Sequence, residues 1–159
     1  MDMWFRTREE FKKIQDTGYR IKIIIIITHF KEFLQMSYKD LEIYKLAYKL
    51  TIEIHTMTLT LPKFEIYEEG SQIRRSSKSV GANIVEGYGK RTYKNDFLRS
   101  LTVAHAECDE TIYHLDILFE TKSLTDQNKY NYLQAEYIKL SKMIYNFSQS
   151  VLTNHLSDK

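Results

Sequence analysis

The sequence is poor in the residues that punctuate, cross-link or anchor a chain. Of 159 residues, one is proline and five are glycine. A β-sandwich or barrel turns too often for so few turn-formers, so long helices are expected. The single cysteine, Cys108, excludes an intramolecular disulfide framework and cysteine-based zinc fingers, and it fits a reducing cytoplasm. No apolar run nears the roughly 20 residues that span a bilayer, so no membrane partner is expected. Charged residues make up 28% and hydrophobic ones 43%, which excludes a disordered tail. The length suits one domain.

Net charge is also scarce. The formal +2 arises in residues 1–35, which carry seven Lys/Arg against five Asp/Glu, whereas residues 36–159 carry sixteen of each. Any nucleic-acid role must therefore rest on local patches.

Residues 1–35 read differently from the rest. The run Ile23-Ile24-Ile25-Ile26-Ile27 is β-branched and prone to aggregate in isolation. Acidic residues precede it and no small-residue cleavage site follows, which is a poor fit to a signal peptide. Isoleucine runs also arise when AT-rich intergenic DNA is translated. Lys31-Glu32 can be encoded by a ribosome-binding sequence placed just ahead of Met36. The expectation is that translation starts at Met36 and that the preceding segment is an extension; the competing reading is a genuine N-terminal helix. The domain division is then 1–36 extension, 37–154 bundle and 155–159 tail.

Ser37-Tyr38-Lys39-Asp40 has the spacing of a capping box. Apolar residues then recur by threes and fours along four segments. The first seam is Ile43, Ala47, Leu50, Ile54, Met57 and Leu61, ended by Pro62. The second, rich in small residues, is Ile66, Gly70, Ile73, Ser77, Val80, Ile84 and Gly87. The third is Leu98, Leu101, His105, Cys108, Ile112, Leu115 and Phe119. The fourth is Tyr130, Leu133, Tyr137, Leu140, Ile144, Phe147 and Val151. Gly87-Tyr88-Gly89 reads as a helix stop, with Thr92 and Thr125 as N-caps. The fold class expected is all-α, an antiparallel up-down four-helix bundle. Its small-residue seam would allow close approach to a neighbouring helix or subunit.

A bundle invites a di-metal carboxylate centre, but the chain has no Glu-x-x-His. Cys108 sits on a seam, where a buried thiol is inert. Ser76, Ser77 and Ser79 lack the strand-turn-helix setting of an activated serine, and Gly87–Thr92 lacks phosphate-loop spacing. No catalytic residue, metal or cofactor is expected. Charge is more informative. Arg74, Arg75, Lys78, Lys90, Arg91, Lys94 and Arg99 face only Glu86 and Asp96 over that stretch, while residues 107–120 hold five acids and no base. The nucleic-acid-binding set expected is Arg74, Lys78, Lys90, Arg91, Lys94 and Arg99, with Tyr88 and Tyr93 to stack on bases. Basic and acidic faces could instead meet between subunits. Gln72, Arg75, Ser79, Asn83 and Glu86 are expected to be structural polar residues near the seam, with Asn83 and Glu86 buried and Arg75 held by a carboxylate.

The second segment, Ser71-Gln72-Ile73-Arg74-Arg75-Ser76-Ser77-Lys78-Ser79-Val80-Gly81-Ala82-Asn83-Ile84-Val85-Glu86-Gly87, resembles the signature of four-helix-bundle proteins encoded in intervening sequences of bacterial 23S ribosomal RNA genes. Tyr38-Lys39-Asp40-Leu41-Glu42-Ile43-Tyr44-Lys45 resembles that family's opening, and Leu61-Pro62 with Glu65 and Tyr67 its interhelical turn. Gly81 replaces a frequent proline, and Ala104–Glu110 departs from the family's Gly-Ser pair. The resemblance implies a small bundle forming ring-like homo-oligomers, commonly pentamers, associated with RNA. It also implies a distant relation to accessory proteins of retroelements that bind a reverse transcriptase and nucleic acid. The rival expectation is a structural adaptor whose faces serve protein partners alone.

Overall fold

The computed structural model describes residues 37–154; the expected start at Met36 and the 155–159 tail lie outside them. Among the described residues every regular element is helical. A 3-10 turn, Tyr38–Asp40, leads into α1 (Glu42–Thr58), a one-turn helix α2 (Lys63–Tyr67), α3 (Glu69–Gly89), α4 (Lys94–Glu120) and α5 (Gln127–Asn154). The four long helices follow from the three-and-four spacing, which places each seam on one helical face. All six first-seam residues are buried, as are Leu133, Tyr137, Leu140, Ile144 and Val151 of the fourth.

Neighbours are α1 with α3, α3 with α4, α4 with α5, and α5 with α1. Cross-helix contacts fix the register. Between α3 and α4, Glu69 meets His114, Ser76 meets Thr111, and Gly87 abuts Phe97 and Ser100. Between α4 and α5, His105 meets Ser141, Cys108 meets Tyr137, and Asp116 meets Tyr130. Numbers rise on one helix as they fall on the other, in keeping with an up-down arrangement. The small residues of α3 serve an internal neighbour: Ser76 and Gly87 bring α4 close, and Thr111 Oγ1 donates to Ser76 Oγ at 2.9 Å.

The third seam is buried as expected at Leu101, Cys108 and Leu115, but its alternate positions shift by one residue, from Leu98, His105, Ile112 and Phe119 to Phe97, Ala104, Thr111 and Leu118. Phe97, Leu101, Ala104, Cys108, Thr111, Leu115 and Leu118 are buried, whereas Leu98, His105, Ile112 and Phe119 are only half-buried. α4 is covered on two sides, so its buried arc is wider than one seam. The second set forms the flank against α5, where Phe119 stacks on Tyr130 with ring centroids 4.0 Å apart.

Helix ends also differ from expectation. Ser37–Asp40 opens the 3-10 turn instead of capping α1, whose N-cap is Leu41. α1 stops at Thr58, and Pro62 is the N-cap of α2. The N-cap of α4 is Tyr93, not Thr92. α5 is capped by Asp126, not Thr125: its Oδ1 accepts from the amides of Asn128 and Lys129 at 3.0 Å. Among the described residues no glycine has positive φ, so Gly87 allows close packing and does not turn the chain. Lys122 takes the left-handed backbone (φ 63°) after α4, where the sequence supplies no glycine.

Candidate nucleic-acid interface

The turn between α3 and α4 gathers part of the basic set at one end of the bundle. Lys90 follows the last residue of α3, and its ammonium pairs with exposed Glu86 one turn back. That hydrogen bond holds the Glu86 carboxyl below the usual carboxylate range. Arg91 lies over the ring of buried Tyr88, 4.3 Å from its centroid, and donates through Nη1 to the Tyr88 carbonyl. Its guanidinium is thereby oriented at little conformational cost. Lys94 begins α4, whose N-terminal dipole end favours anions, though Asp96 in that first turn works against it. Tyr93, 69% exposed, offers a free ring face beside them. Arg99 is exposed farther along α4.

Sequence reasoning missed Lys39. The 3-10 turn packs against α3, and Tyr38 meets Tyr44, which lines a groove beside Val85 and Glu86. Lys39 and Asp40 therefore come to the same end. Only the antiparallel return of the chain reveals this.

The remaining cations are elsewhere. Arg74 lies about 24 Å along α3 from Lys90 at the helical rise of about 1.5 Å per residue. Its Nη2 donates to the Ile66 carbonyl at 2.7 Å, its Nη1 is buried without a partner, and it ties α2 to α3. Arg74 is thus structural, and Arg75 is exposed, the reverse of expectation. Lys78 lines the groove towards α1. Of the polar set, Gln72 is exposed. Half-buried Asn83 donates to the carbonyl and hydroxyl of Ser79 within its own helix. Glu86 is exposed rather than buried. Asn83 bonds within its own helix because α4 approaches α3 on the adjoining face, through Ser76 and Gly87.

Two other clusters carry chemistry-bearing groups. His114, largely buried, has Nδ1 2.7 Å from Glu69 and Nε2 3.4 Å from Glu110. On the opposite flank of α4, Ser141 Oγ lies 2.9 Å from His105 Nε2 and donates to Asp109 at 3.1 Å. The hydroxyl has one proton, and Asp109 competes with the imidazole for it. All three residues sit mid-helix, where backbone amides are engaged in the helix and cannot form an oxyanion hole. Among the described residues no group of three or more His, Cys, Asp or Glu could hold a metal ion. Cys108 is buried and its thiol is pushed up to about 12 by desolvation. We expect that a disulfide reagent at pH 8 leaves the native protein unlabelled and modifies one thiol per chain on unfolding. Rapid native labelling would contradict the buried placement.

The chain is similar in sequence to the family described as 23S rRNA-intervening sequence protein, over residues 39–146. Its fold is similar to the crystal structure of a protein of unknown function from the S23 ribosomal protein family of Bacteroides thetaiotaomicron. That match has a TM-score of 0.59 and 24% identity, covering 67% of this chain and 95% of the other. No curated protein matches.

Proposed function

From membership of the 23S rRNA-intervening sequence protein family, to which this chain belongs, we propose that it is a non-catalytic, cytoplasmic, ring-like homo-oligomer, of pentameric type, that associates with RNA. The observation that carries the reading is the joint placement of Lys90, Arg91 and Lys94 at one end of the bundle, beside exposed Tyr93. Cations at such a site neutralise phosphates and release condensed counterions, while an open aromatic face takes an unpaired base. Each subunit offers a weak patch, diluted by Glu86 and Asp96; a ring repeats it and gains avidity. The clusters around His105 and His114 supply no activated nucleophile with oxyanion donors, which supports a binding role. No helix among the described residues is long and apolar enough to cross a membrane.

The test is binding of the full chain to a structured fragment of 23S ribosomal RNA across a salt series. The expected result is an affinity whose logarithm falls linearly with the logarithm of salt. A second reading, an adaptor for protein partners, is favoured by Phe64 and Tyr67, 65% and 84% exposed on α2. Absence of RNA binding at low salt would transfer the proposal to it.

A further inference from the structure

Among the described residues, two apolar features on different sides of the bundle have no partner. The first is an open groove of about 460 Å³ between α1 and α3, floored by Tyr44, Tyr48, Gly81, Ala82 and Val85. A Cβ added at Gly81 would meet nothing within 4 Å. The second is a ridge on α5. Ile138, Tyr145 and Leu152 recur every seventh residue, each directly after a buried residue (Tyr137, Ile144 and Val151). Ser141 lies between the first two and bonds across to α4, which places the ridge on the α4 side of α5. The groove belongs to the α1–α3 side, so one copy can present both features at once to different neighbours.

Charge matches the two. Lys78 stands on the groove rim, Arg75 is exposed one turn earlier on α3, and the carboxylate at the groove's other end, Glu86, is paired with Lys90. Asp109, bonded to Ser141 at 3.1 Å, flanks the ridge, and α4 carries five carboxylates and no Lys or Arg over residues 107–120. We infer that the α5 ridge of one copy seats in the α1–α3 groove of the next, with Asp109 and its acidic neighbours against the Lys78 rim. This rests on the homo-oligomer reading and names the surfaces that would build it. The contact is heterologous, because different patches meet, and such contacts generate rings when the rotation closes. The small residues Gly81 and Ala82 give the depth an incoming tyrosine needs, and the rim charges suppress the reverse pairing of ridge with ridge.

The experiment uses the full chain and two single variants, Ala82→Glu in the groove and Tyr145→Glu on the ridge. Both positions are exposed, and circular dichroism melts confirm that each variant folds. Light scattering after size exclusion should show the wild type as an oligomer and each variant as a monomer. An equimolar mixture of the variants should give a one-to-one dimer and nothing larger, since only one intact groove and one intact ridge can then meet. An oligomer that survives either substitution, or a mixture that stays monomeric, overturns the assignment of these surfaces. A monomeric wild type overturns the oligomer reading itself.

Discussion

Gly70→Ala is expected to destabilise the protein by about 3 kcal/mol, the upper end of the usual cost of overpacking. Gly70 lies in the first turn of α3, directly after the one-turn helix α2. A Cβ there would stand 2.6 Å from the Glu65 carbonyl oxygen and 3.2 Å from Leu61 Cδ1. The first neighbour is backbone, so relief requires moving α2 as a unit. That movement would disturb the Arg74 bond to the Ile66 carbonyl and the bond from Ser123 to buried Glu65. Gly81 provides the contrast. It lies in the helix interior with open space around its Cα, so Gly81→Ala should stabilise by about 0.5–1 kcal/mol through helix propensity alone. Urea midpoints of the two variants, compared at unchanged slope, check both. A Gly70→Ala protein as stable as wild type would show that the α2–α3 corner is looser than these contacts require.

The second large effect is on RNA. Replacing Lys90, Arg91 and Lys94 together by glutamine should weaken binding at moderate salt by about one to two orders of magnitude. It should also reduce the salt slope by up to about 0.7–0.9 for each cation that contacts phosphate. The loss should be uniform across sequences, since phosphate contacts carry no base information. Stability should fall by no more than about 1–2 kcal/mol, because the Lys90–Glu86 pair is exposed and the main loss is the Arg91 stack on Tyr88 with its bond to the Tyr88 carbonyl. Arg74→Ala is the control. Its guanidinium is engaged with the Ile66 carbonyl, so it should lower stability by about 1–3 kcal/mol and leave the salt slope alone. If the triple variant binds with unchanged affinity and slope, the α3–α4 end is not the RNA surface. If Arg74→Ala flattens the slope instead, the roles assigned to the two groups are reversed.

Much of the bundle was legible because helical periodicity is a local property. Ile43, Ala47, Leu50, Ile54 and Met57 could face only one way on a helix, and the structure buries all of them. The same holds for Leu133, Tyr137, Leu140, Ile144 and Val151 of α5 and for Gly87 of α3, whereas Tyr130 and Phe147 of the α5 seam stay half-buried. The cations at the α3–α4 turn were legible for a related reason: a short connection between antiparallel helices leaves its flanking residues at the end of the bundle.

What the sequence could not decide turns on differences of about 100°, the rotation between adjacent helical residues. Arg74 and Arg75 are neighbours in one signature, yet one is tied beneath α2 and the other is exposed. Only the corner after α1, with α2 folded over α3, distinguishes them. The one-position offset on α4 has the same origin, since either seam is apolar enough and the count of covering neighbours selects the buried arc. Asp126 displaced Thr125 as a cap because the starting residue of α5 depends on how the turn after Lys122 closes, and Lys39 joined the basic end because the chain returns there. The sequence by itself determined which segments are helical, which faces are apolar and where cations concentrate. The tertiary structure decided which cations remain accessible and which apolar faces stay uncovered, because both depend on contacts between residues far apart in the chain.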